Sequence, residues 1–143
     1  MFGGSTWEFD PLTSEYYLHC FAVEQPDLNW ENPSVIQAVH DIMHFWLQKG
    51  VNGFRCDVIN FISKAPDYPD APITNPHMLF QDASALFANG PKLHQYLRGI
   101  GKLLESYDAF SVGEMPFAKD ENEVIRVVSS KSKELNMIFQ FDM

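Results

Sequence analysis

From Pro33 onward the apolar positions recur at helical spacing. Val35, Val39, Ile42, Met43 and Trp46 fall three or four residues apart, with polar residues between them. Asn32 suits an N-cap, Pro33 the first helical position and Gly50 the residue just past a helix end, so a helix is predicted between them. The period then changes. Val51 to Ile59, VNGFRCDVI, reads as a strand. Alternation puts Arg55 and Asp57 on one face and Phe54, Cys56 and Val58 on the other. Residues 60–90 show no period and hold Pro66, Pro69, Pro72 and Pro76. A connection of that length is functional or disordered as a rule. Phe61, Ile62, Met78, Leu79, Phe80, Leu86 and Phe87 within it argue for an ordered excursion.

A second helix starts near Pro91, carried by the stripe Leu93, Tyr96, Leu97, Ile100, Leu103, Leu104 and Tyr107. Ala109 to Glu114 reads as a second strand, Glu121 to Ser130 as a short helix and Met137 to Phe141 as a third strand. Ahead of these, Phe2 to Asp27 is aromatic and lacks a helical period. Within it Gly3-Gly4-Ser5 suits a turn and Glu15 to Phe21 a short strand. Helices alternating with strands predict an α/β fold with a parallel sheet.

Composition narrows the possibilities. Apolar residues make up 45% of the 143 residues and charged residues 20%, which is globular and not disordered. The net charge of −9 is spread along the chain with no offsetting Lys/Arg cluster, which argues against a nucleic-acid partner. No apolar run approaches the ~20 residues of a membrane span. The abundant aromatic residues serve a core by default, with ring stacking on a ligand as the second use. Cys20 and Cys56 lie in apolar, strand-like runs without a CxxC pair, so buried reduced thiols are expected. The opening MFGGSTWEFD lacks the basic and apolar regions of a signal peptide, and proline disqualifies Asn32-Pro33-Ser34 as a glycosylation site. A cytoplasmic protein is the expectation.

Two acids, Asp57 and Glu114, stand at the C-terminal ends of predicted parallel strands, the edge at which α/β folds bind and react. An unpaired carboxylate buried there costs several kcal/mol, so each must be paired, hydrogen-bonded or aimed into a site. Arg55 shares a face with Asp57 and would keep it ionised. Glu114 has no basic neighbour in sequence, so its proton would be held more tightly. That asymmetry suits glycoside hydrolysis by retention, in which one carboxylate attacks while another donates a proton, the two about 5–5.5 Å apart. Parallel strands ~4.8 Å apart can supply that spacing. Spacing alone serves a structural Arg55–Asp57 ion pair and a surface Glu114 equally well.

Other candidates carry less. His40 and His44 are four apart but lack the HExxH glutamate, so no metal is expected. Gly99-Ile100-Gly101 lacks the third glycine of a nucleotide fingerprint and sits mid-helix, where it suits packing. No GxSxG elbow is present.

Three motifs resemble one family in that family's order. Gly53-Phe54-Arg55-Cys56-Asp57-Val58-Ile59-Asn60 is similar to the nucleophile motif of the α-amylase superfamily, glycoside hydrolase family 13. Val112-Gly113-Glu114-Met115 resembles its acid/base motif, and Gln25-Pro26-Asp27-Leu28-Asn29 the signature of its oligo-1,6-glucosidase and α-glucosidase subfamily. FGGSTWEFD, LNWENP, NGPKLHQYL and FQFDM extend the likeness over nearly the whole chain.

The resemblance implies Asp57 as nucleophile and Glu114 as acid/base. It implies Arg55 as the arginine that contacts the nucleophile and supports sugar binding. Val58 matches a position beside the nucleophile where members with α-1,6 activity tend to have Val and maltase-like members Thr; trehalose-type members can also have Val. It also implies an exo-acting α-glucosidase with no cofactor, acting on oligosaccharides of isomaltose or maltose type. The implied fold is part of a (β/α)8 TIM barrel, about strands four to six over residues 31–143, with residues 1–30 closing a small inserted domain. A complete barrel takes ~250 residues. The family's third carboxylate and its early sugar-binding Asp and His match nothing in this chain. The alternative is a truncated barrel without activity, or an interaction protein like the barrel-bearing heavy chains of amino-acid transporters. Those relatives tend to lose the nucleophile, which this sequence keeps.

Overall fold

In the computed structural model, residues 3–141 are described. Phe2, at the head of the aromatic stretch, and the Asp142-Met143 end of FQFDM lie outside the described residues. Two sheets form. Strands β1 (Trp7–Asp10) and β2 (Glu15–Leu18) make an antiparallel hairpin with Trp7 opposite Leu18. Asp10 closes its turn by accepting from the Leu12 amide and the Thr13 hydroxyl, and Ser14 takes a left-handed φ of 58°.

The second sheet is parallel, as the alternation of elements predicts, in the order β3 (Gly53–Cys56), β4 (Phe110–Glu114), β5 (Met137–Phe139). Gly53 pairs with Phe110 and Cys56 with Gly113, while Val112 pairs with Met137 and Glu114 with Phe139. Strand β4 is therefore central.

Helix α1 (Pro33–Gln48) begins and ends where its caps place it. Asn32 Oδ1 accepts from the Ser34 amide at 2.9 Å. Gly50 follows at φ 92°, with its amide on the Leu47 carbonyl and that of Val51 on Trp46. Its buried side differs from the predicted stripe. Met43 and Leu47 are buried, with Val35, Ile36 and Val39 beside them, while Ile42, Phe45 and Trp46 face out. The i, i+4 row 35–39–43–47 is the one that meets the core; Ile42 and Trp46 lie a quarter-turn away.

Helix α2 (Ser84–Phe87) is a single turn. Helix α3 (Leu93–Glu105) buries Leu93, Tyr96, Leu97, Ile100, Leu103 and Leu104 of the predicted stripe, while Tyr107 lies past the helix end and is exposed. Burying one such leucine fully is worth about 1.5–3 kcal/mol. Gly101 is needed for packing: a Cβ there would lie 1.9 Å from the Lys133 carbonyl oxygen. Helix α4 (Glu121–Val128) is capped by Asp120 and buries Val127. Glu134, its side chain wholly enclosed, accepts from Arg98 at 3.2 Å and meets His94 Nδ1 at 2.8 Å, which ties the segment before β5 to α3.

The excursion over residues 60–90 packs inward only in part. Phe61 and Phe87 are buried in a second cluster with Cys20 and Ala88. Met78, Leu79 and Phe80, expected inside, are exposed. The Gln81 side chain organises that stretch instead, accepting from the Thr74 and Asn75 amides and donating to the Asn75 and Met78 carbonyls. Among the described residues no helix is long and apolar enough to cross a membrane.

Candidate active site

The predicted strand ending at Ile59 stops at Cys56. Asp57 begins a turn, Val58 adopts φ 35°, ψ 45°, and a 3-10 helix runs from Ile59 to Ile62. Val58 therefore does not continue the apolar face of β3. A β-branched residue in left-handed backbone is a genuine outlier. Its side chain packs against the Cys20–Phe61–Phe87 cluster, which holds it there.

Register brings the two acids together. Cys56 lies beside Gly113, so Asp57 and Glu114 are the next residues along neighbouring strands. Arg55 joins them. One guanidinium nitrogen donates to Asp57 Oδ1 and the other to Glu114 Oε2 at 2.5 Å. The Arg55 Cζ sits 5.3 Å from the centre of the Phe139 ring, a cation–π contact. One side chain on β3 thus engages residues of β4 and β5.

The Arg55 hydrogen bond holds the Asp57 carboxyl below its ordinary value of 3.8, outweighing the opposing effect of burial, and a hydrogen bond with Glu114 adds to the lowering. A lowered folded-state pKa stabilises the fold above the unfolded value. That contribution is lost as pH falls through the folded value.

This arrangement corrects one expectation. Glu114 does have a basic partner, Arg55, 59 residues away in sequence. The contrast between the acids lies instead in exposure. The Asp57 side chain is 72% exposed and that of Glu114 13%.

Around the pair lie residues that periodicity did not single out. Asn60 is fully buried and hydrogen-bonds Asn89 and the Pro116 carbonyl. Lys64 donates to Asp27 at 2.7 Å and to the Phe61 carbonyl at 2.5 Å, so the Gln25–Asn29 segment is tied to the 3-10 helix after Asp57. Gly113 has no room for a side chain; a Cβ would meet Leu135 Cδ1 at 2.7 Å and Ile59 Cγ2 at 2.9 Å. A glycine directly before a strand-end acid was the one available signal of this close approach.

His40 and His44 are placed by the helices. His44 Nδ1 meets the Tyr107 hydroxyl at 3.0 Å, and the His40 ring packs over Gly99. Cys20 and Cys56 are both free thiols, and burial pushes the Cys20 thiol up to about 11.

Comparison with known proteins decides the family. The sequence model of the alpha-amylase catalytic domain matches residues 1–143. The chain belongs to the alpha-amylase catalytic-domain family. Among relatives in that family, an alpha-glucosidase of Schizosaccharomyces pombe is 57% identical over 141 residues, covering 99% of this chain and 24% of that protein. An oligo-1,6-glucosidase of Parageobacillus thermoglucosidasius is 46% identical over 143 residues, 99% of this chain and 25% of that protein. The crystal structure of a trehalose-6-phosphate hydrolase from Bacillus licheniformis superposes with a TM-score of 0.85 at 42% identity, covering 98% of this chain and 24% of that one. The chain thus spans about a quarter of the length of the alpha-amylase family members it matches.

Proposed function

We propose that this chain carries the nucleophile and acid/base quarter of a retaining α-glucosidase. Asp57 attacks the anomeric carbon of a terminal α-linked glucose, and Glu114 protonates the departing oxygen and then activates water. Arg55 keeps Asp57 ionised and orients it. The observation that carries the reading is the single guanidinium held between two carboxylates at matched ends of adjacent parallel strands. It supports the (β/α)8 reading too: β3, β4 and β5 correspond to about the fourth to sixth strands of a barrel. Among the described residues β1 and β2 form a sheet of their own, in keeping with residues 1–30 closing a small inserted domain. The substrate is an oligosaccharide of isomaltose or maltose type, with α-1,6 linkage favoured by Val58. Two free thiols fit a cytoplasmic location.

The test replaces the matched quarter of the Schizosaccharomyces pombe alpha-glucosidase with residues 1–143. The expected chimera hydrolyses 4-nitrophenyl α-glucoside, and NMR of the first-formed sugar shows the α anomer. A folded chimera without turnover beside an active parent overturns the reading, as does a β product. The alternative, a barrel segment without activity of its own, is read from the 143-residue chain alone; cooperative unfolding with turnover removes it.

A further inference from the structure

Two catalytic carboxylates on different strands work only if the turns that follow those strands are held in one fixed relation. The backbone hydrogen bonds of β3 and β4 end at Cys56 and Gly113, before the acids. Past that point side chains make the connection: Arg55 links the two acids, and Asn60 links the turns that follow them. Asn60, three residues after Asp57 and fully buried, donates one N–H to the Pro116 carbonyl at 2.6 Å, two residues after Glu114. Its other N–H goes to Asn89 Oδ1 at 3.0 Å. The exchange is reciprocal: the Asn89 amide donates to the Asn60 carbonyl at 3.0 Å, and Asn89 Nδ2 to the Phe117 carbonyl at 3.4 Å.

The orientation of the Asn60 amide is fixed by its surroundings. Both near neighbours are acceptor oxygens, so only the nitrogen can face them. Its own Oδ1 is buried without a donor among the described residues. A buried polar atom left in that state is tolerated where the rest of the group has a task. Gly113 supplies the other half of the joint. Lacking a side chain, it lets Ile59 sit directly on β4 beside Glu114.

We propose that Asn60 is a positioning residue that sets the separation of the Asp57 and Glu114 carboxyls, with Asn89 as its outer brace. The inference rests on the catalytic reading of that pair. Asn60 touches neither acid and acts through the backbone at Ile59 and Pro116. It tethers the turn after β3 to the turn after β4, where no ladder reaches. Loosening it lets Glu114 drift from the leaving oxygen while the sugar still binds.

The experiment compares two substrates in the chimera, isomaltose and 2,4-dinitrophenyl α-glucoside. The second has a leaving group that departs without a proton, so it is insensitive to the placing of the acid. Asn60→Ala is expected to lower kcat/KM for isomaltose about a hundredfold, the scale of an ångström-level misplacement. The loss on the dinitrophenyl substrate should be about tenfold smaller. Asn89→Gly covers the case in which Asn60→Ala does not fold. Asn89 is exposed at φ 55°, a conformation glycine adopts freely, and the same selective pattern is expected at about a fivefold loss. Equal losses on the two substrates, or no loss in a folded variant, overturn the proposal. Asp57→Asn is run alongside. If it also keeps turnover, the failure lies with the catalytic reading of the pair and not with the joint.

Discussion

Asp57 and Glu114 directly follow the register pair Cys56–Gly113, yet the first is mostly exposed and the second mostly enclosed. Strand position explains the difference. Strand β4 has β3 on one side and β5 on the other, so Glu114 is flanked by residues of both, with Phe139 as its register partner. Strand β3 stops at Cys56, so Asp57 falls just past its end, in a turn. A central strand presents its terminal side chain already packed. A residue past the end of its strand leaves that task to a neighbouring side chain, here Arg55. Both acids accept from Arg55, but only Glu114 also belongs to a strand ladder.

The contrast is sharpest in a comparison of Asp57→Asn with Glu114→Gln. Both should lower turnover of isomaltose at least a thousandfold, within the range for losing an essential acid, base or nucleophile. On 2,4-dinitrophenyl α-glucoside Glu114→Gln should give a rapid burst of phenolate and then slow release, because attack by Asp57 survives. Asp57→Asn should give no burst. A burst from Asp57→Asn, or none from Glu114→Gln, would exchange or abolish the two roles.

Arg55→Ala attacks the support on the exposed side. A loss of about a hundredfold in kcat/KM is expected, typical of an electrostatic group beside the reacting centre. The acid limb of the kcat/KM profile should move to higher pH, because Asp57 loses the hydrogen bond that chiefly lowers its pKa. An unmoved limb would show that Arg55 does not govern the ionisation of Asp57.

These supports were unevenly legible in the sequence. Asn32, Pro33 and Gly50 marked α1 because capping is local chemistry, readable within a few residues. The alternation of Arg55 and Asp57 exposed a polar strand face for the same reason. Trp7–Asp10 was missed because a four-residue hairpin strand is too short to establish a period, and its aromatic residues serve a core or a surface equally well. Ile42 and Trp46 pointed outward because periodicity finds apolar residues but not which row of them meets a neighbour. The Arg55–Glu114 and Asn60–Pro116 contacts span 59 and 56 residues, so only the register of β3 on β4 creates them.

Gly113→Ala probes the enclosed side. Its methyl group would press on Leu135 and Ile59, so a destabilisation of about 1–3 kcal/mol is expected in urea unfolding of the chimera. Unchanged stability would mean that the contact with Ile59 yields freely. The smallest effect is expected at Val58→Thr. Swapping a methyl for a hydroxyl beside Asp57 should shift the ratio of isomaltose to maltose hydrolysis toward maltose by about tenfold or less, measured as relative kcat/KM. No change in that ratio would remove Val58 from linkage selection.

The Lys64–Asp27 contact bears on how such barrels can be recombined. Lys64 keeps only 9% of its side chain exposed, and its ammonium rests on a carboxylate from the Gln25–Asn29 segment, 37 residues earlier. A recognisable sequence signature is thus one end of a strut whose other end lies beyond Asp57. A crossover between residues 29 and 64 that brings in a partner sequence lacking this acid would leave the ammonium unpaired in an enclosed site. Hybrids with parents that lack the signature should therefore fold when 25–64 travels as one block, and less often when a breakpoint falls inside it.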